Sequence, residues 1–240
     1  MLKTSIIVPL MNETYSLQQT VDIVMTENKN DIFEIIIVVA KRTSTESMGI
    51  AQELINKYPD HIRILEQTLP FLGGAMRDAF ESVRGSHVIM MASDMETDPH
   101  TVKALIATAA ARPDIDIIAT SRWLTGGGFK GYKTYKAALN FIFQKTFSLL
   151  YGTHLTDLTF GFRLYKTEWL KKFIWTELRH PFLFECLIKP LRTGAKIIEI
   201  PSPWKSRFEG VSQNNLKIMA SYTITGLRLR FMPINNFIKK

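Results

Sequence analysis

The chain has 240 residues, 46% of them hydrophobic, which is enough for one large folded domain, or a domain with an extension, around a sizeable core. Its single cysteine, Cys186, excludes an internal disulfide framework and fits a reducing, cytoplasmic compartment. The net charge of +8 is unevenly spread: residues 1–120 hold 10 Lys/Arg and 16 Asp/Glu, net −6, whereas residues 121–240 hold 20 and 6, net +14. An anionic partner for the second half follows, such as a phosphate-bearing substrate or an anionic membrane surface. The basic half carries no nucleic-acid-binding motif, so no nucleic acid is expected.

The apolar run Ile6–Leu10 is too short for a secretory leader and reads as the first core strand, Ser5–Val8, leading into Asn12-Glu13. Leu17, Val21, Val24 and Met25 then follow helical spacing, and Glu34–Val39 (EIIIVV), Ile62–Glu66, His87–Met91 and Ile115–Thr120 read as further strands. This β-α-β alternation predicts an α/β fold, a mostly parallel sheet with helices on both faces. The ligand crevice of such a sheet lies beyond the carboxyl ends of its strands, here near the first and fourth. The fourth apolar run stops at Asp94, Glu96 and Asp98. Hard carboxylate oxygens suit Mg2+ or Mn2+ that also holds a diphosphate. Asp98, directly before Pro99, fits a helix start, where the dipole alone favours an acid. Glu13 reads equally as a first-turn acid, and Gly73-Gly74 as a plain turn before a helix carrying Arg77 and Asp78.

Gly126–Gly128 marks a loop, and residues 132–151 form a candidate helix with Leu139, Ile142, Phe143, Thr146 and Leu150 on one face. Two readings stand for its aromatics. Phe141, Phe147 and Tyr151 among Lys133, Lys136 and Lys145 suit an interfacial helix at lipid headgroups, or they pack on the sheet. Core-like material returns at Asp157–Tyr165 and at the strand Lys196–Ile200, closed by Pro201. Cys186, in PFLFECLIKPL, reads as a buried inert thiol in a helix, and the five histidines show no metal-ligand spacing. Residues 213–240 are expected to form a basic, amphipathic, membrane-peripheral tail beyond a domain of residues 1–212. Its longest uncharged stretch, Ile218–Leu227, is ten residues where about 20 would be needed to span a bilayer.

Six segments in order, TSIIVPLMNE, EIIIVV, GGAMRDA, SRWLTGGG, DLTFGFR and RFEGVS, together with the acidic run after the fourth strand, resemble family 2 glycosyltransferases of the GT-A fold. Among them the closest likeness is to dolichol- or polyprenyl-phosphate sugar (mannose) synthases. The resemblance implies inverting, metal-dependent transfer of a sugar from a GDP- or UDP-linked donor to a polyprenyl phosphate, with Mg2+ or Mn2+ at Asp94 and Glu96. It places Pro9, Met11, Glu13, Val38, Ala40, Gly74, Ser93 and Arg207 at the donor, and Arg122, Lys133 and Lys136 at the acceptor phosphate. Asp94, Arg122 and Asp157 take the catalytic roles. Two departures accompany it. The family's Asp-x-Asp is Ala92-Ser93-Asp94 here, and the acid pair after the second strand is replaced by Val39-Ala40-Lys41-Arg42-Thr43-Ser44.

The acceptor decides whether a base is needed. A phosphate monoester, with a second pKa of about 6, is already mostly ionised near neutral pH. A saccharide hydroxyl needs an Asp or Glu to take its proton. Asp157, with Glu185 behind it, is the candidate, and a structural tie from Asp157 to Arg163 stands beside that reading. A nucleotide-binding scaffold without turnover is the third alternative.

Overall fold

The computed structural model of the chain describes residues 2–207, 209 and 216–239. Strands β1 (Thr4–Leu10), β2 (Ile32–Val39), β3 (Ile62–Glu66) and β4 (His87–Met90) alternate with helices α1 (Tyr15–Asn28), α2 (Thr45–Lys57) and α3 (Phe71–Ser82). After α4 (Thr101–Ala111) come β5 (Ile117–Ser121), β6 (Gly128–Lys130) and the long helix α5 (Thr134–Tyr151). The remainder is β7 (Arg163–Lys166), α6 (Thr167–Lys171), α7 (Phe182–Arg192), β8 (Ile197–Pro201), β9 (Pro203–Lys205) and α8 (Leu216–Phe231). Seven strands form one sheet in the order β3-β2-β1-β4-β7-β5-β8, parallel except for β7, which runs against both β4 and β5. The expected α/β, mostly parallel sheet is therefore present. β6 and β9 pair separately as a small parallel ribbon that the sequence does not announce.

The strands read as continuous apolar runs because both faces are covered. Along β1 and β2 the side chains alternate. Ile6, Val8, Ile35, Ile37 and Val39 face α1, α2 and α4, where Leu17, Val21, Leu54, Val102 and Leu105 complete one core. Ile7, Ile36 and Val38 face the other side, against Ala75, Met76, Phe80 and Phe184. Each fully buried aliphatic side chain stabilises the fold by about 1.5–3 kcal/mol. On β2 a charge is buried among them, Glu34, which accepts from Ser5 Oγ (2.8 Å), Arg63 Nε (2.7 Å) and the Arg84 backbone N–H (2.8 Å). It ties β1, β2, β3 and the entry to β4 at their amino ends.

Helix α5 ends at Gly152, which takes the left-handed conformation (φ 63°) and donates back to Leu149 O. Its faces differ from those expected. Phe143, Phe147, Leu150 and Tyr151 pack inward, whereas Leu139 and Ile142 are exposed with Tyr135, Phe141 and Leu149. Residues 143, 147, 150 and 151 share one helical face, which corrects the single apolar face sought in the sequence and takes Phe147 and Tyr151 out of any interfacial set.

The boundary at residue 212 lies outside the described residues. Beyond it, α8 lies against α5 and α7 instead of standing off as a tail. Gly226 meets the ring of Phe147, Tyr222 Oη donates to His180 O (2.7 Å), and Arg228 pairs with Glu177 (2.8 Å). Leu229 and Phe237 are fully buried, and Arg192 donates to Leu229 O and Met232 O. Among the described residues no helix is long and apolar enough to cross a membrane.

Candidate active site at the carboxyl edge of the sheet

Three loops meet at the carboxyl ends of β1, β2 and β4. Thr43 Oγ1 accepts from Ala40 N (2.9 Å) and donates to Leu10 O (3.0 Å), and Ser44 N donates to Met11 O (2.9 Å) before Ser44 caps α2. From β4, Ser93 Oγ donates to Pro9 O (2.7 Å). Each of these short polar side chains satisfies a backbone group that the ending strands leave open.

The β4 loop then does something unusual. Met95 takes a left-handed backbone (φ 59°), which costs a non-glycine residue about 1–2 kcal/mol. Glu96 N donates to Asp94 Oδ1 (3.0 Å), and the two carboxylates converge on one guanidinium: Arg207 Nη2 lies 3.1 Å from Asp94 Oδ2, and Arg207 Nε 3.0 Å from Glu96 Oε1. Asp94 is almost fully buried, and burial, reinforced by the charges of Glu96 and Glu13, pushes its carboxyl up to about 6 against the opposing Glu96 N–H and Arg207. Two carboxylates thus share one positive group, and their hard oxygens are the kind a divalent cation takes. Mg2+ or Mn2+ bound this way takes its remaining ligands from substrate phosphate oxygens and water. Among the described residues no third His, Cys, Asp or Glu side chain joins them.

Several predicted donor residues sit differently from expectation. Glu13 precedes α1 and turns back, Oε2 accepting from Met11 N (2.8 Å) and Asn12 N (3.1 Å), so it is no first-turn acid. Val38 is core, 1% exposed beneath α3, and offers a ligand no surface. Gly73 and Gly74 lie inside α3. A Cβ on Gly74 would come within 2.6 Å of the Leu69 carbonyl, and one on Gly73 within 2.7 Å of Glu177 O, so the close backbone approach they permit is to the chain itself. Pro9, Met11, Ala40 and Ser93 lie together in the loops at the carboxyl ends of β1, β2 and β4. Asp98 behaves as expected, its carboxylate accepting from His100 N (3.2 Å) ahead of α4.

A second half of the site stands at the end of β5. Asp157, with no solvent exposure, accepts from Arg122 Nε (2.7 Å) and Nη2 (2.9 Å), from Gln144 Nε2 (3.3 Å) and from Phe160 N (3.2 Å). The Arg122 guanidinium is also flanked by the rings of Phe129 and Phe160, 5.1 and 4.7 Å away. Its Nη1 makes no hydrogen bond among the described residues. Arg163 is not tied to Asp157, as one reading had it, but donates to Leu158 O (2.9 Å) and Leu183 O (2.6 Å). Glu185 is buried too, paired with Lys189 (2.6 Å) and accepting from Thr176 N, Thr176 Oγ1 and Glu177 N, so it faces no cleft.

Lys133 is the exposed N-cap residue of α5, and Lys136 lies in its first turn. Between these halves runs an aromatic series that sequence reasoning missed: Trp123–Phe129 (4.7 Å between centroids), Phe129–Tyr132 (5.2 Å) and Tyr132–Trp204 (5.0 Å). Trp204 bridges in turn to Thr97 beside Glu96. The density of rings across residues 123–132 was the available signal. Also missed was Glu209, whose carboxylate accepts from Thr14, Tyr15 and Ser16 at the start of α1. Beside Gln144 opens a cavity of about 360 Å³, lined by Trp123, Phe141, Lys145, Leu149 and His154 among others.

A mixed sheet of this order, with paired acids beyond β4, has the architecture of GT-A glycosyltransferases. The same fold occurs in glucosyl-3-phosphoglycerate synthase from Mycobacterium tuberculosis, solved with Mn2+, uridine diphosphate and phosphoglyceric acid (TM-score 0.73, 14% identity, covering 97% of this chain and 80% of that one). The chain belongs to glycosyl transferase family 2, whose family model matches residues 5–174. It is similar to a dolichol-phosphate mannosyltransferase from Pyrococcus furiosus, 25% identical over 224 residues, and spans 62% of that protein's length against 92% of its own. A polyprenol monophosphomannose synthase from Mycolicibacterium smegmatis is 22% identical over 88% of this chain and 80% of its own length.

Proposed function

We propose that the protein transfers a sugar, with inversion, from a GDP- or UDP-linked donor to a polyprenyl phosphate at a membrane surface. The observation that carries this reading is the face around α5. Gln144, which shares Asp157 with Arg122, lines a cavity of about 360 Å³ whose rim combines Phe141, Leu149 and Lys145. Tyr135, Ile142, Ile224, Leu227 and Phe231 add exposed apolar surface on α5 and α8. A phosphate bearing a long apolar chain suits a cationic group beside such a surface. The names of the Pyrococcus and Mycolicibacterium relatives point the same way.

Asp94 and Glu96 would hold Mg2+ or Mn2+, which neutralises the charge developing on the diphosphate leaving group. Arg207 stands beside them to take the same charge, and Pro9, Met11, Ala40 and Ser93 line the crevice where the donor lies. Arg122, fixed by Asp157, presents its remaining nitrogen Nη1 to the acceptor phosphate, with Lys133 and Lys136 nearby on α5. The phosphate oxygen attacks the anomeric carbon while the bond to the donor diphosphate breaks on the opposite side. That oxygen is already ionised, so no base is required. The alternative with a saccharide hydroxyl needs a base, and both of its candidates are occupied: Asp157 by Arg122, Glu185 by Lys189.

The test is transfer of labelled sugar from a panel of UDP- and GDP-sugars to polyprenyl phosphate with Mn2+ or Mg2+, comparing wild type with Asp94→Asn. Lipid-borne label that disappears in the variant supports the reading. Label found only in water-soluble product favours the hydroxyl acceptor, and nucleotide binding without turnover favours a scaffold.

A further inference from the structure

Residues 203–207 and Glu209 are fastened on both sides of the candidate site. Before the site, β9 pairs with β6, Trp204 bridges to Thr97, Lys205 N donates to Glu96 O (3.2 Å) and Ser206 N to Lys130 O (2.9 Å). Over the site, the Arg207 guanidinium spans Asp94 and Glu96. Past the site, Glu209 sits on the amino end of α1. Its carboxylate accepts from Thr14 N (2.9 Å), Thr14 Oγ1 (2.8 Å), Tyr15 N (3.2 Å), Ser16 N (3.1 Å) and Ser16 Oγ (2.6 Å). Thr14, the N-cap residue of α1, makes no side-chain cap of its own. The orphan N–H groups and positive dipole end of a 14-residue helix are therefore served by an acid 195 positions away.

We propose that residues 203–207 and Glu209 form a strap in which Arg207 holds the place of the divalent cation between Asp94 and Glu96, and that Glu209 is the positioning residue that keeps it there. The inference rests on the reading of Asp94 and Glu96 as cation ligands. A guanidinium brings one delocalised charge to two carboxylates, whereas a divalent cation neutralises both. The two compete for the same oxygens, and a displaced Arg207 is freed for the diphosphate that arrives with the cation. Glu209, two residues along, resists that displacement through its hold on α1. The fastening sets how much cation the protein takes up before donor binds.

Manganese alone serves as the probe, free Mn2+ being read by electron paramagnetic resonance in titrations of the full chain without nucleotide. Arg207→Gln, which leaves two acids uncompensated, is expected to bind Mn2+ roughly tenfold more tightly than wild type. Glu209→Gln is expected to bind it more tightly by a smaller factor, and trypsin should cut after Arg207 faster in this variant than in wild type without metal. Adding Mn2+ to wild type should speed the same cut. Should Arg207→Gln fail to fold, Arg207→Lys, which loses the fork but keeps a charge, should show an intermediate gain. Equal or weaker Mn2+ affinity in the Arg207 variants overturns the exchange alone. Uptake by neither wild type nor variant overturns it together with the metal reading of the acidic pair. Unchanged affinity and cleavage in Glu209→Gln overturn the fastening.

Discussion

Arg122 and Asp157 meet edge to edge, Nε to Oδ2 at 2.7 Å and Nη2 to Oδ1 at 2.9 Å, with the carboxylate wholly out of solvent. An acid so placed orients a cation and has no route to a substrate proton. Breaking a buried pair from one side costs about 3–5 kcal/mol, because the other charge is left behind. Asp157→Asn is therefore expected to lower the urea midpoint and to depress transfer severely. Arg122→Lys should not restore transfer, since an ammonium cannot reproduce the fork. A general-base role would instead remove the acidic limb of the pH–rate profile in Asp157→Asn at nearly unchanged stability.

The acidic pair makes the cation-free protein sensitive to alkali. The Asp94 carboxyl is pushed up to about 6 from its ordinary 3.8 by burial and then by Glu96. A group whose folded value is raised contributes its full stability below the unfolded value and loses it as pH rises through the folded value. Asp94→Asn should accordingly be more stable than wild type at pH 8, by about 1–3 kcal/mol without metal, and equal to it near pH 4. Urea titrations at the two pH values check this. Added Mn2+ should raise the melting temperature of wild type and leave that of the variant unchanged.

Met95 carries strain that can be removed or increased. Glycine accepts φ 59° without penalty, whereas a β-branched side chain resists it. Met95→Gly should retain Mn2+ binding within a few-fold, its relief of about 1 kcal/mol partly offset by the lost contact of Met95 Sδ with Thr20. Met95→Val should turn Asp94 and Glu96 apart and weaken Mn2+ binding at least tenfold, about 1.4 kcal/mol. Isothermal titration with Mn2+ distinguishes the two.

Gly226 sets how closely α8 approaches α5. A Cβ there would lie 2.1 Å from Cε1 of Phe147, a ring 4% exposed and stacked against Phe143 at 4.3 Å. Gly226→Ala should gain about 1 kcal/mol in helix propensity and lose about 1–3 kcal/mol in overpacking, a net destabilisation read as a lower melting temperature. Gly226→Leu should lower it further.

Much of the sheet was legible because Ile6–Val8, Glu34–Val39 and His87–Met90 are apolar on both faces and bounded by polar turns. What escaped depends on distance in the chain. Glu209 and α1 are joined across 195 positions, and nothing local at Glu209 marks a helix cap. Helical spacing assigned α5 but not its orientation, because apolar residues occur around it and only α8 and α7 decide which ones are covered. The acids Asp94 and Glu96 were visible as residues. Their convergence was not, since it depends on a left-handed Met95 that sequence pattern would never place there.

The reversed direction of β7 has one more effect. Arg163, its first residue, pairs with Met90 of β4 and Ala119 of β5, so the approach through Asp157–Phe162 arrives at the edge where those two strands end. A parallel β7 would deliver Asp157 to the opposite rim, a sheet's width from Asp94. Inverting one four-residue strand thus brings residues from the acidic first half of the chain and from the basic second half to the same edge of the sheet. Residues 122–163 can then vary while the register of β1 against β2 and β4 stays untouched.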